Sequence, residues 1–105
     1  MVKYVESLDE FNALVAASTE KLLVVDFTAS WCGPCQMIAP TFEKMAKEHT
    51  DVTFIKVDVD EAEEIAAQAG VRAMPTFMFY KDGKKVADFA GANVSLLKDH
   101  VIKYK

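Results

Sequence analysis

The sequence predicts an α/β fold, a mixed five-stranded sheet flanked by four helices, and three observations carry that prediction. Apolar runs of strand length alternate with segments of helical periodicity in the order βαβαβαββα. Residues 22 to 59 read as strand, helix, strand, a unit whose two strands must be parallel. Near the C-terminus two strand-like runs meet through an Asp-Gly pair, the signal of an antiparallel hairpin.

Val2-Lys3-Tyr4-Val5 is the first strand candidate. Ser7 with Glu10 then forms a capping box for a helix carrying Phe11, Leu14 and Val15. Leu22 to Phe27 is a nearly continuous apolar run, the pattern of a central strand covered on both faces. From Pro34 onward Met37, Ile38, Phe42, Met45 and Ala46 recur at helical spacing, with Pro34 suited to the first turn and Pro40 expected to kink the helix. Val52 to Val59 is the next strand. Asp60 with Glu63 suggests a helix start, Ile65, Ala66 and Ala69 an apolar face, and Gly70 an end. Pro75 to Tyr80 and Lys84 to Phe89 form the hairpin around Lys81-Asp82-Gly83, and Asn93 caps a last helix with Val94, Leu97, Val101 and Tyr104.

No repeat, low-complexity tract or linker divides the 105 residues, so a single domain over 1–105 is expected. With 51% apolar residues it has the material for a core that needs neither metal nor disulfide support. The segment Met1 to Ser7 lacks a basic stretch and a long apolar run, so neither export nor membrane insertion is expected. A net charge of -4 with twelve scattered basic residues argues against a nucleic-acid surface and toward protein or small-molecule partners. Two cysteines are too few for a secreted disulfide scaffold, which points to a reducing compartment, the cytoplasm.

Those two cysteines stand in Trp31-Cys32-Gly33-Pro34-Cys35, after a buried strand and before a helix. A helix start offers unpaired N–H groups and the positive end of a dipole, both of which stabilise a thiolate. If residues 32 to 35 form the first turn, both sulfurs face one side with Cα atoms roughly 5 to 6 Å apart, within disulfide range. The pair then has the means to cycle between dithiol and disulfide. A zinc site through His49 is the competing possibility, but His100 falls outside ligand spacing and no other cysteine exists to complete four ligands. A third possibility is two inert, partly buried thiols.

Asp26 is a carboxylate inside an apolar strand, where burial favours the protonated form and allows proton exchange near neutrality. A solvated position at a frayed strand end is the alternative. Lys56 lies in the neighbouring run, placed either to approach Asp26 across parallel strands or to reach the surface along its own stem. By pattern alone Trp31, Met74 and Pro75 belong to the core, and the base rate for X-Pro bonds does not favour a cis peptide at Pro75. The acidic set Asp58, Asp60, Glu61, Glu63 and Glu64 reads as a solvated helix start.

Taken together, Asp26-Phe27, Trp31 to Cys35, Pro40, Lys56-Val57-Asp58, Met74-Pro75-Thr76 and Gly91-Ala92-Asn93 resemble the thioredoxin family in residue and in order, across essentially the whole chain. The length and the Gly-Ala-Asn segment are similar to those of eukaryotic cytosolic members. The resemblance implies the thioredoxin fold and a protein-disulfide reductase in which Cys32 attacks, Cys35 resolves and Asp26, tuned by Lys56, helps move the Cys35 proton. It implies a cis Met74-Pro75 bond facing the sulfurs, with Gly33 and Pro34 supporting the turn. Trp31, Val59, Ala73, Met74, Gly91 and Ala92 would form a flat docking surface, the Met74 backbone pairing with an extended substrate segment. No bound cofactor is implied. Electrons would come from NADPH through a separate thioredoxin reductase, since no Gly-rich dinucleotide fingerprint is present here. Implied partners are that reductase and disulfide-containing targets such as peroxiredoxins or ribonucleotide reductase, with no nucleic acid, no membrane and a monomeric state.

Three positions depart from common members of the family. Thr28 stands where many bacterial members have an aromatic residue. Gln36 replaces a common Lys or Arg and removes a positive charge near Cys32. Ala73 stands in place of a cysteine of vertebrate members, so regulation through that thiol has no residue to act through.

Overall fold

A central strand covered on both faces must send alternate side chains into two separate cores, and the run from Leu22 to Phe27 does so. In the computed structural model, which describes residues 2–105, Leu22 and Val24 pack with Ile38, Phe42, Phe77, Phe79, Leu97 and Val101. Leu23, Val25 and Phe27 pack on the opposite side with Phe11, Ile55, Val57 and Ile65.

The elements follow in the expected order. They are β1 (Lys3–Tyr4), α1 (Leu8–Ala16), β2 (Leu23–Thr28), α2 (Gly33–Glu48), β3 (Thr53–Asp58), α3 (Glu63–Ala69), β4 (Thr76–Lys81), β5 (Lys84–Ala90) and α4 (Val94–Tyr104). The strands form one sheet in the order β1-β3-β2-β4-β5. β2 lies parallel to β3 and antiparallel to β4, and β4 pairs antiparallel with β5. Helices α2 and α4 supply residues to one core and α1 and α3 to the other.

Local chemistry explains several element ends. Ser7 Oγ accepts the Glu10 N–H at 3.2 Å, and Asn93 Oδ1 accepts the Leu96 N–H at 2.9 Å, so both helices start on side-chain caps. The hairpin turn places Asp82 at φ 55 and Gly83 at φ 78, left-handed at both central positions as a type I′ turn requires. Their N–H groups donate to Ser18 O at 2.8 Å and Ser18 Oγ at 3.0 Å, anchoring the turn to the end of the α1 segment.

Some expectations need correction. β1 comprises only Lys3 and Tyr4, because its pairing with Ile55 and Lys56 is that short. Asp60 does not cap α3. The Asp58 carboxylate accepts the N–H groups of Asp60 (2.9 Å) and Glu61 (3.4 Å), so a turn intervenes and α3 begins after Ala62 without a side-chain cap. Met37 is 78% exposed and takes no part in the core stripe, since it lies about 100° around the helix from Ile38. α2 itself continues through Pro40.

Candidate active site

β2 ends at Thr28 and the chain passes through the buried Ala29 to the start of α2. Cys32 occupies the N-cap with extended backbone (φ -88, ψ 111), Gly33 opens the helix and Pro34 sits in its first turn. Pro34 is suited there because its missing N–H is one of the groups a helix start leaves unpaired. Cys32 and Cys35 are joined as a disulfide with Cα atoms 5.3 Å apart, inside the separation predicted from their spacing. Cys32 Sγ accepts the Cys35 N–H at 3.2 Å. An N–H donor and a helix N-terminus at this sulfur are features that favour negative charge there. Cys32 is 5% exposed and Cys35 1%, so Cys32 is the more accessible of the two sulfurs.

The sulfurs lie in an apolar setting of Ala29, Val59 and Met74. Met74 O is 3.7 Å from Cys32 Sγ, and the Met74–Pro75 peptide is cis. This is the isomer that the family resemblance implies, against the general preference of X-Pro bonds for trans. Gly91 donates its N–H to Pro75 O at 2.8 Å, and Thr76 Oγ1 donates to Ala73 O, so the loop is tied at both sides. Gly91 has φ 103, a conformation that glycine alone adopts readily. Gly33, Pro34, Ala73 and Ala92 are exposed and Gly91 is half-buried, while the half-buried Val59 and Met74 pack against the cysteines.

Trp31 is not a core residue. It is 67% exposed and its Nε1–H donates to Asp60 Oδ2 at 2.8 Å, which lays the indole on the surface beside the cysteines. An indole has one polar atom to satisfy, and here the partner is a surface carboxylate. Asp60, read as a helix cap, therefore serves the rim of the site instead.

On β2, Asp26 is 1% exposed and its Oδ1 has no hydrogen-bond partner. This is mid-strand burial, which removes the frayed-end alternative. Burial raises its carboxyl from 3.8 to about 7, against the lowering influence of Lys56 and with a further raising contribution from Glu43. Lys56 stands directly opposite Asp26 in the β2–β3 register and is itself buried, so it does not reach the surface along its stem. Its ammonium pairs instead with Glu43 Oε2 at 3.2 Å and lies 5.6 Å from the centre of the Tyr4 ring. Glu43 also accepts the Val2 N–H at 2.9 Å. Burial pushes the Glu43 carboxyl up, but the Val2 N–H and the Lys56 charge outweigh it and hold the group below its ordinary value.

Glu43 and Ala29 are site neighbours that the sequence did not single out. Ala29 is small and apolar with no distinguishing pattern, whereas Glu43 becomes visible only once β2, β3 and α2 are placed together. The zinc alternative fails on geometry: His49 caps the far end of the 16-residue α2, about 24 Å along the axis from Cys32. Among the described residues no group of three or more His, Cys, Asp or Glu side chains is arranged to hold a metal ion, and no helix is long and apolar enough to cross a membrane. Gln36 is exposed and directs its side-chain amide to Ala29 O at 3.4 Å, so no cation stands at that position beside Cys32. Thr28 is buried.

Comparison with known proteins agrees with this architecture over the full chain. The thioredoxin family model matches residues 2–103. A thioredoxin of Ophiophagus hannah is 49% identical over 104 residues, 99% of each chain, and thioredoxin-1 of Schizosaccharomyces pombe is 53% identical over 98 residues, 93% of each. The X-ray structure of Fasciola hepatica thioredoxin superposes with a TM-score of 0.95 at 46% identity, covering 99% of this chain and all of that one.

Proposed function

We propose, from the fact that this chain belongs to the thioredoxin family and reduces disulfides by dithiol/disulfide exchange, a division of labour among its residues. Cys32 attacks. Its thiolate breaks the S–S bond of a target and forms a mixed disulfide, expelling one target thiolate that takes a proton from water. Asp26 accepts the proton of the Cys35 thiol, and the Cys35 thiolate then attacks Cys32 Sγ. The Cys32–Cys35 disulfide forms and the second target sulfur leaves as a thiolate. Two electrons have passed from the pair to the target. The observation that supports this assignment most directly is the asymmetry at the helix start: Cys32 is the N-cap, accepts the Cys35 N–H and is the less buried of the two sulfurs.

The docking surface in this reading is Trp31, Gly33, Pro34, Val59, Ala73, Met74, Gly91 and Ala92, with the Met74 backbone offered to an extended substrate segment. Lys56 tunes Asp26. The oxidised pair returns to the dithiol through a separate thioredoxin reductase fed by NADPH, in the cytoplasm. Targets of the peroxiredoxin and ribonucleotide reductase kind follow from the family resemblance, as does a monomeric single-domain state.

Insulin reduction, measured with and without an NADPH-driven thioredoxin reductase, tests the reductase relay. Turnover that continues on NADPH is the expected result, and a single stoichiometric round with no regeneration removes the reductase from the scheme. Cys35→Ser tests the roles of the sulfurs: it should accumulate target-linked mixed disulfides through Cys32 that dissolve under reductant. Complexes that survive reductant would instead indicate non-covalent binding.

A further inference from the structure

Asp26 and Lys56 face each other across neighbouring strands, yet Asp26 Oδ1 is without a hydrogen-bond partner. A buried carboxylate beside a buried ammonium would ordinarily form the ion pair, because leaving either charge alone in a low dielectric is costly. What prevents it lies on α2. Glu43 Oε2 holds Lys56 Nζ at 3.2 Å, while Glu43 Oε1 is fixed by the Val2 N–H at 2.9 Å. The Tyr4 ring at 5.6 Å adds a second attraction for the ammonium. The charged groups acting on Asp26 are thus Lys56 from β3 and Glu43 from α2, whereas its β4 neighbour in the register is the apolar Phe77.

We propose that Glu43 is a positioning residue for disulfide exchange: by holding the Lys56 ammonium toward α2, it withholds that cation from Asp26 and leaves the Asp26 carboxyl free to take up and release a proton. The inference rests on the role assigned to Asp26 above. Glu43 touches neither sulfur nor substrate and acts only through its neighbours. The balance of the step is unchanged. The Cys35 proton moves to the Asp26 carboxylate, the Cys35–Cys32 bond forms, and the target thiolate leaves.

Two charges change the setting of Asp26 together when Glu43 is neutralised. Glu43→Gln keeps the shape and an oxygen for the Val2 N–H but releases Lys56 and removes a nearby negative charge. Both effects favour ionised Asp26, so its titration midpoint should fall from about 7 by roughly one pH unit. Lys56→Met should move the midpoint the other way.

The test is ¹³C titration of the Asp26 carboxyl in wild-type, Glu43→Gln, Lys56→Met and doubly substituted oxidised protein. It is paired with single-turnover rates of mixed-disulfide resolution against pH. A fall in the Glu43→Gln midpoint that shrinks to less than half in the Lys56→Met background, with the rate profile following it, is the expected result. A midpoint that stays near 7 in folded Glu43→Gln protein overturns the inference, as does a shift that persists in full without Lys56. If the carboxyl midpoint moves while the resolution profile stays in place, the role of Asp26 in the Cys35 proton step is what fails, and the catalytic part of the inference falls with it. A purely structural role for Glu43 would lower stability and leave both profiles where they were.

Discussion

Asp26 shows how much one buried group can decide. Its carboxyl titrates near 7 because burial penalises the charged form more than Lys56 rewards it, so at neutral pH it is divided between acid and base. A group in that condition accepts a proton from a thiol at modest cost. Asp26→Asn keeps the volume and removes the titration. It should slow Cys35 attack on the mixed disulfide at pH 7 by about 100-fold, the low end of what a general base contributes. Formation of the mixed disulfide by Cys32 should change less than threefold. Rapid-quench measurement of both steps separates them, and equal slowing would show that Asp26 acts on the site as a whole and not on the Cys35 proton.

At the scale of elements, the loops that face the sulfurs are held by backbone geometry that side chains cannot substitute. Gly91 at φ 103 donates its N–H to Pro75 O, joining the end of β5 to the loop before β4. A Cβ there would meet open space, so the cost of Gly91→Ala is conformational and not steric. It should be about 1–2 kcal/mol in chemical denaturation, accompanied by a raised KM for protein substrates as the loop shifts. An unchanged KM would place Gly91 outside the docking surface. This scale also shows what is legible in the sequence. Periodicity located all nine elements, and spacing placed the cysteines at a helix start, because both are local properties of the chain. Pattern alone does not place Trp31, since a single aromatic in a turn carries no periodicity and its partner Asp60 lies 29 residues away. Glu43 was invisible for a related reason. Its meaning depends on a register between β2 and β3 and on the face that α2 turns toward them.

For the whole molecule, two cores on opposite faces of one sheet carry the fold, so the disulfide is available for chemistry. A bridge spanning four residues closes a very short loop and restricts the unfolded chain by about 2 kcal/mol at most. The Cys32→Ser/Cys35→Ser protein should therefore unfold cooperatively in urea, losing no more than about that amount relative to the oxidised form. Non-cooperative melting would mean that the pair is a structural staple. The same global unfolding measures the charge held behind it. With a folded value of about 7 against an ordinary 3.8, Asp26 contributes its full stability below pH 3.8. Between the two values the unfolded chain releases the proton while the folded chain keeps it, so stability falls as pH rises through 7. Three pH units correspond to about 4 kcal/mol at most. Asp26→Asn has no such loss. Its stability relative to wild type should therefore climb between pH 4 and pH 8 by up to about 4 kcal/mol, with most of the rise complete by pH 7. Urea unfolding of the two proteins across that range gives the difference directly, and a flat difference would mean that Lys56 pairs with an ionised Asp26 after all, which would also remove the hold that Glu43 exerts on Lys56.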